Sequence, residues 1–189
     1  MKKYKKMIIL VVLIIIGIVG IFTYMRYYGD KQEYLSYYED YISLDGEIKS
    51  YAVKVGNLEI NERQYEDWLY QGIISYYNGS DDEIFKYVFK ERFPLPNEYE
   101  NDRKGAFVVI YALLEVYPEL KEDKVINETL LAIDNTIDDL RSTTSLYNDC
   151  IDDYNEIVEQ INNSDYVRVW HKELYITKKY QKIIFTEPE

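Results

Sequence analysis

A Tyr-Asn doublet occurs twice, seven residues apart, at Tyr147-Asn148 and Tyr154-Asn155. It rides on an apolar ladder of Ile126, Leu130, Ile133, Ile137, Leu140, Thr144, Tyr147, Ile151, Tyr154, Val158 and Ile161. The spacings alternate between four and three without a break, the period of a helix that buries one narrow stripe against other helices. At 1.5 Å per residue such a helix is about 54 Å long. A chain that must house it has few options besides a bundle of long helices.

A second ladder runs through Tyr34, Tyr37, Tyr41, Leu44, Ile48, Tyr51, Val55, Leu58, Tyr65, Leu69 and Tyr76. It predicts another long helix over residues 31–77, with Gly29-Asp30 as a place where the chain can bend. Much of the Leu expected on such a stripe is Tyr, whose hydroxyl needs a polar partner when buried. Gly56 and Gly72 weaken the helix locally, by about 1 kcal/mol each relative to Ala. Ser80 and Glu83 have the spacing of a capping box for a short helix over 81–92. Pro94 and Pro96 end that helix, and Asn97–Lys104 reads as a polar loop. Residues 105–117 form an apolar helix stopped by Pro118, and the long helix follows from about 123 to 162. Residues 163–189 read either as a short helix packing back or as an extended tail.

The N-terminus has its own logic. After four lysines within residues 1–6, residues 7–25 carry no charge and are mostly Ile, Val and Leu. Nineteen residues of helix match a hydrocarbon core of about 30 Å. The stretch runs into Tyr24, Tyr27 and Tyr28 rather than into small residues, so the expectation is a retained anchor rather than a cleaved signal peptide. The lysines place 1–6 in the cytoplasm and 26–189 on the far side. The soluble part then divides into a helical bundle over 26–162 and a tail over 163–189. Its 34 acidic residues face 18 Lys and Arg (22 less those four lysines), a formal charge of −16. That excludes nucleic acid as a partner and disfavours lying flat on anionic lipid.

Tyr117-Pro118-Glu119-Leu120-Lys121, followed by the doublets in Tyr147-Asn-Asp-Cys-Ile151-Asp-Asp-Tyr154-Asn-Glu-Ile157, resembles the LemA family. The likeness covers about residues 105–162, with a fainter echo at Leu44-Asp45, Ile48 and Tyr51-Ala52. Neither the Phe-Pro that follows the second doublet in that family nor its Gly-Phe tail is present, so the chain resembles a divergent member. The resemblance implies an all-α, membrane-tethered antiparallel bundle and no established catalytic activity. Its motif residues are Tyr117, Pro118, Glu119, Leu120, Lys121, Tyr147, Asn148, Tyr154 and Asn155.

Catalytic chemistry finds little to stand on. His171 is the single histidine and no Cys/His cluster accompanies it, so zinc has no ligand set. No phosphate-binding Gly-rich loop or nucleophile elbow occurs. Asp138-Asp139 and Asp152-Asp153 share a solvated helix face without EF-hand spacing. Cys150, the lone cysteine, is expected as a small buried side chain. The doublets read as packing tyrosines with register-fixing asparagines, or else as a binding site for a partner helix. No cofactor and no metal are expected. The partners are the bilayer, through residues 7–25, and another membrane or envelope protein, with self-association left open. The expected role is a non-enzymatic interaction or scaffold protein of the cell envelope. An accessory subunit or regulator of a membrane or cell-wall enzyme comes second, and a carboxylate-based hydrolase third.

Overall fold

The computed structural model describes residues 2–184. Met1 and the part of the predicted tail beyond Ile184 lie outside the described residues. Every regular element among the described residues is helical. Helix α1 runs from Lys2–Gly79 as one piece, α2 covers Glu83–Arg92, α3 Pro96–Asn101 and α4 Arg103–Val116. A 3-10 turn over Pro118–Glu122 leads into α5, Lys124–Asn163. A π turn over Tyr166–Trp170 and a 3-10 turn over Lys172–Leu174 follow, and the chain is then extended.

Helix α1 has no proline, since Pro94 is the first in the chain, so nothing removes a helical hydrogen bond before Gly79. Gly29-Asp30 does not break it. Its first part is unlike the rest. Every described side chain from Tyr4 to Met25 is exposed, Phe22 to 69%. This is a helix long and apolar enough to cross a membrane.

Two local expectations are corrected. The N-cap of α2 is Asp82, whose Oδ1 accepts from the backbone N–H groups of Ile84 (2.8 Å) and Phe85 (3.0 Å). Ser80 instead accepts from the Asp82 N–H (3.2 Å). A carboxylate is the stronger acceptor at the positive end of a helix, so it takes the cap from the hydroxyl. The polar stretch 97–104 is not a loop. Pro96 at the first helical position presets φ, and Glu98 Oε2 accepts the Leu95 N–H (2.9 Å), which together start α3. Asp102 then caps α4 through the Gly105 N–H (3.0 Å).

The chain divides into two compact units, and α1 and α5 contribute to both. One is built from the residues up to Ser50 with Tyr147–Lys182. There the two long helices run antiparallel: Arg26 meets Asp165, Tyr41 meets Tyr154 and Glu47 meets Cys150. The other is built from Tyr51–Leu146 together with Ile183 and Ile184. Its core gathers Leu69 and Ile73 of α1, Phe85 of α2, Ile110 and Leu114 of α4 and Ile126 of α5. A run of stacked rings, Tyr99–Tyr70–Phe93–Phe89–Tyr77, lines one side of it with neighbouring centroids 4.1 to 5.1 Å apart. Aromatic pairs at such separations add about 0.5–1.5 kcal/mol each beyond the area they bury.

Candidate functional site

The Tyr-Asn doublets lie on α5 in the first unit, and their two halves face different surroundings. Tyr147 and Tyr154 are buried, while Asn148 is half-buried and Asn155 exposed. The Tyr154 ring packs between Tyr41 of α1 (5.2 Å) and Tyr180 of the tail (5.1 Å, edge-on). Its hydroxyl is buried and makes no well-formed hydrogen bond, and burial first, then the nearby Tyr41 hydroxyl, push its pKa up. The Tyr147 hydroxyl donates to the backbone carbonyl of Gln181 (3.3 Å).

Those two tail contacts belong to a longer one. From Ile176 to Lys182 the chain lies along α1 and α5 as an extended strap. Asn162 bonds the backbone of Ile176, Lys178 and Tyr180 reach Asp45, and Lys182 pairs with Asp152 (2.6 Å). The anchoring side chains, Lys178, Tyr180 and Lys182, stand two apart, as the period of an extended chain requires, while Ile176 and Gln181 are held through their backbone. Asp45 is the knot. Its Oδ1 accepts from Lys178 Nζ (2.5 Å) and the Tyr180 hydroxyl (2.5 Å), and its Oδ2 from Lys49 Nζ (2.5 Å). Hydrogen bonds from Lys178, Lys49 and Tyr180 hold the Asp45 carboxyl well below the usual carboxylate range.

Beside the strap, the same helix pair forms an open groove of about 380 Å³ lined by Asp40, Ser43, Leu44 and Glu47 of α1 and Asp153, Glu156 and Ile157 of α5. Its four carboxylates are exposed, so the groove does not exclude the water that weakens electrostatic catalysis. Cys150 is half-buried rather than buried, with its thiol 3.8 Å from Glu47 Oε2. Burial first, then Glu47, push that thiol up, away from the reactive thiolate. No group of three or more potential metal ligands occurs among the described residues.

The Tyr117–Lys121 corner falls in the second unit and is a packing corner. Leu120 is fully buried in the core, and the half-buried Tyr117 ring stands edge-on to Phe85 (5.1 Å). Pro118, Glu119 and Lys121 are exposed. The same unit contains a polar knot that sequence reasoning missed. Arg103 Nη2 donates to Asp67 Oδ1 (2.5 Å), the Tyr99 hydroxyl (3.0 Å) and the Arg63 carbonyl (3.0 Å), with Glu66 3.5 Å from its Nε. Burial raises the Glu66 pKa against the pull of Arg103, and burial with the Asp67 bond raises that of Tyr99. No sequence signal marks this cluster, because its members come from α1, α3 and α4. The strap left no clear signal either, since Ile176-Thr-Lys-Lys-Tyr-Gln-Lys182 carries lysines at both even and odd positions. No family model, no curated protein and no solved structure matches the chain.

Proposed function

We propose that the chain is a single-pass, membrane-anchored helical-bundle protein of LemA type, acting as a non-enzymatic interaction or scaffold protein of the cell envelope. The observation that carries this reading is the continuity of α1. One unbroken helix leads from the wholly exposed apolar stretch into a folded unit whose seam is closed by α5 and the strap. The Ile, Leu and Val of 7–25 are exposed among the described residues, and a bilayer is the solvent that suits them. The four lysines before the span support an orientation with residues 26–189 outside the cytoplasm. Absence of catalysis is supported by the exposed carboxylates of the groove and by the protonated state favoured for Cys150.

The alternative is an accessory subunit or regulator of a membrane or cell-wall enzyme. Alkaline extraction of membranes tests the anchor, since a spanning protein stays in the pellet. Protease added to spheroplasts tests the side: residues 26–189 are degraded if outside, and full protection reverses the orientation. Cross-linking in intact membranes then separates the two roles. An enzyme that is captured and changes its activity when this chain is removed supports the regulator.

A further inference from the structure

Burial along α1 begins at Tyr27. Every described side chain before it is exposed, and the element that covers it is the π turn following α5. The Tyr27 ring lies edge-on to Trp170 at 5.5 Å and tilted against Tyr166 at 5.6 Å. Trp170 donates its indole N–H to Asp30 Oδ2 (3.0 Å), and Arg26 pairs with Asp165 (2.6 Å). Three consecutive contacts, at residues 26, 27 and 30, therefore clamp Asp165–Trp170 to α1 directly past the apolar stretch.

The rise of a helix turns this into a depth. Tyr27 lies about 3 Å and Asp30 about 7.5 Å beyond Met25 along the axis. The headgroup layer outside the hydrocarbon is about 5–7 Å thick on each side, and a tilt of about 20° changes these distances little. If residues 7–25 span, a turn clamped to residues 26–30 has nowhere to be except that layer. Its composition suits the place. Trp170 has its N–H already satisfied by Asp30, so its half-buried ring meets lipid without stranding a donor. Val169 and Tyr28 are more than half exposed, and Arg168 is exposed and cationic. Apolar, aromatic and basic side chains together are the composition of a membrane interface.

We propose that the turn Tyr166–Trp170, with Tyr28, is a second membrane-contact element that sits among phospholipid headgroups beside the anchor. This rests on the anchor reading. The local charges alternate, Arg26, Arg168 and Lys172 against Asp30, Asp165 and Glu173, so the element fits a zwitterionic surface and needs no anionic lipid. It seats the first unit on the bilayer without a spacer and fixes the end of α5 there.

Tryptophan quenching in the full chain tests it. The chain has two tryptophans, and the exposed Trp68 is replaced by Trp68→Phe, leaving Trp170 as the reporter. The protein is reconstituted in phosphatidylcholine vesicles brominated either near the headgroups or near the acyl-chain ends. A second variant, Trp68→Phe/Trp170→Phe/Ile16→Trp, reports on the middle of the apolar stretch. The expected result is that the shallow bromine quenches Trp170 roughly twofold or more over the deep one, as a ring outside the ~30 Å core requires. The indole introduced at position 16 shows the opposite preference. Deep quenching at position 16 with no quenching of Trp170 by either lipid overturns the proposal and leaves the anchor standing. No deep quenching at position 16 removes the anchor reading, and this proposal with it.

Discussion

The side-chain amide of Asn162 holds the backbone of Ile176 at both of its polar groups: the Ile176 N–H donates to Oδ1 (2.8 Å), and Nδ2 donates to the Ile176 carbonyl (2.9 Å). An amide placed this way stands in for a neighbouring strand, giving an extended chain partners that the helices cannot supply. It also sets the register. With Ile176 fixed, the period of two brings Lys178, Tyr180 and Lys182 round to Asp45 and Asp152.

Asn162→Ala is therefore expected to loosen the strap while the helices stay folded. Two lost hydrogen bonds cost about 2 kcal/mol locally. Amide hydrogen exchange at Ile176 should speed up, and trypsin should cut sooner at Lys178, Lys179 and Lys182. Unchanged protection of those sites would show that the Asp45 knot alone holds the strap.

Asp45 makes the strap acid-sensitive. Its pKa is depressed in the folded chain by hydrogen bonds from Lys178, Lys49 and Tyr180. Its stabilising contribution is thus complete above the unfolded value, about pH 4, and is lost as the pH falls through the lower folded value. Ring resonances of Tyr180 followed in an acid titration should hold their folded positions through pH 4 and shift below it. In Asp45→Asn that acid step should vanish. Its persistence in the variant would show that Asp45 is not the group responsible.

What the sequence made legible was local. The three-and-four ladder needs only one helix to be read, and each of its positions on α5 is buried or half-buried in the fold. The ladder of α1 was legible for the same reason, helped by the absence of proline before Pro94. Residues whose role depends on distant partners were not legible. Asp45 meets Tyr180 across 135 positions, and Arg103 meets Asp67 across 36. Nothing near either acid announces its partner. The tail has no regular period that separates a short helix from an extended chain, and the acids that receive it, Asp45 and Asp152, lie far away in sequence. The Ser80–Glu83 spacing points to the wrong cap, because the carboxylate that binds the helix N–H groups lies two residues on, at Asp82.

Arg103 tests whether the second unit depends on a planar cation. One Nη2 serves Asp67, Tyr99 and a backbone carbonyl, and a lysine ammonium lacks the fork to keep Glu66 as well. Because Arg103 and Asp67 are partly solvated, Arg103→Lys is expected to cost about 1–2 kcal/mol in urea unfolding rather than the larger loss of a buried pair. Full retention of stability would make the knot ornamental.

Gly72 lies on α1 where a Cβ would meet Ile126 Cγ1 at 3.5 Å and Val125 Cγ1 at 3.9 Å, ordinary contact distances. Gly72→Ala therefore has room, and it removes the entropy cost of a mid-helix glycine, for a gain of about 1 kcal/mol. The melting temperature should rise. A fall would mean that α1 and α5 approach more closely here than those distances allow.

The doublets separate packing from recognition. Tyr154 is fully buried between Tyr41 and Tyr180, so Tyr154→Ala should destabilise by about 3–5 kcal/mol. Tyr154→Phe removes a buried hydroxyl that makes no well-formed hydrogen bond but lies near that of Tyr41, and should change stability by less than about 1 kcal/mol. Tyr147→Phe gives up its bond to the Gln181 carbonyl and should cost about 0.5–1 kcal/mol. Asn155 is exposed, so Asn155→Ala should leave stability within about 0.5 kcal/mol. Any effect of Asn155→Ala must then appear in cross-linking to a partner rather than in thermal melts. A Tyr154→Ala variant that melts like the parent would sink the packing role and turn the doublets into the binding surface. A large loss from Asn155→Ala would show instead that the exposed amide is tied to the fold.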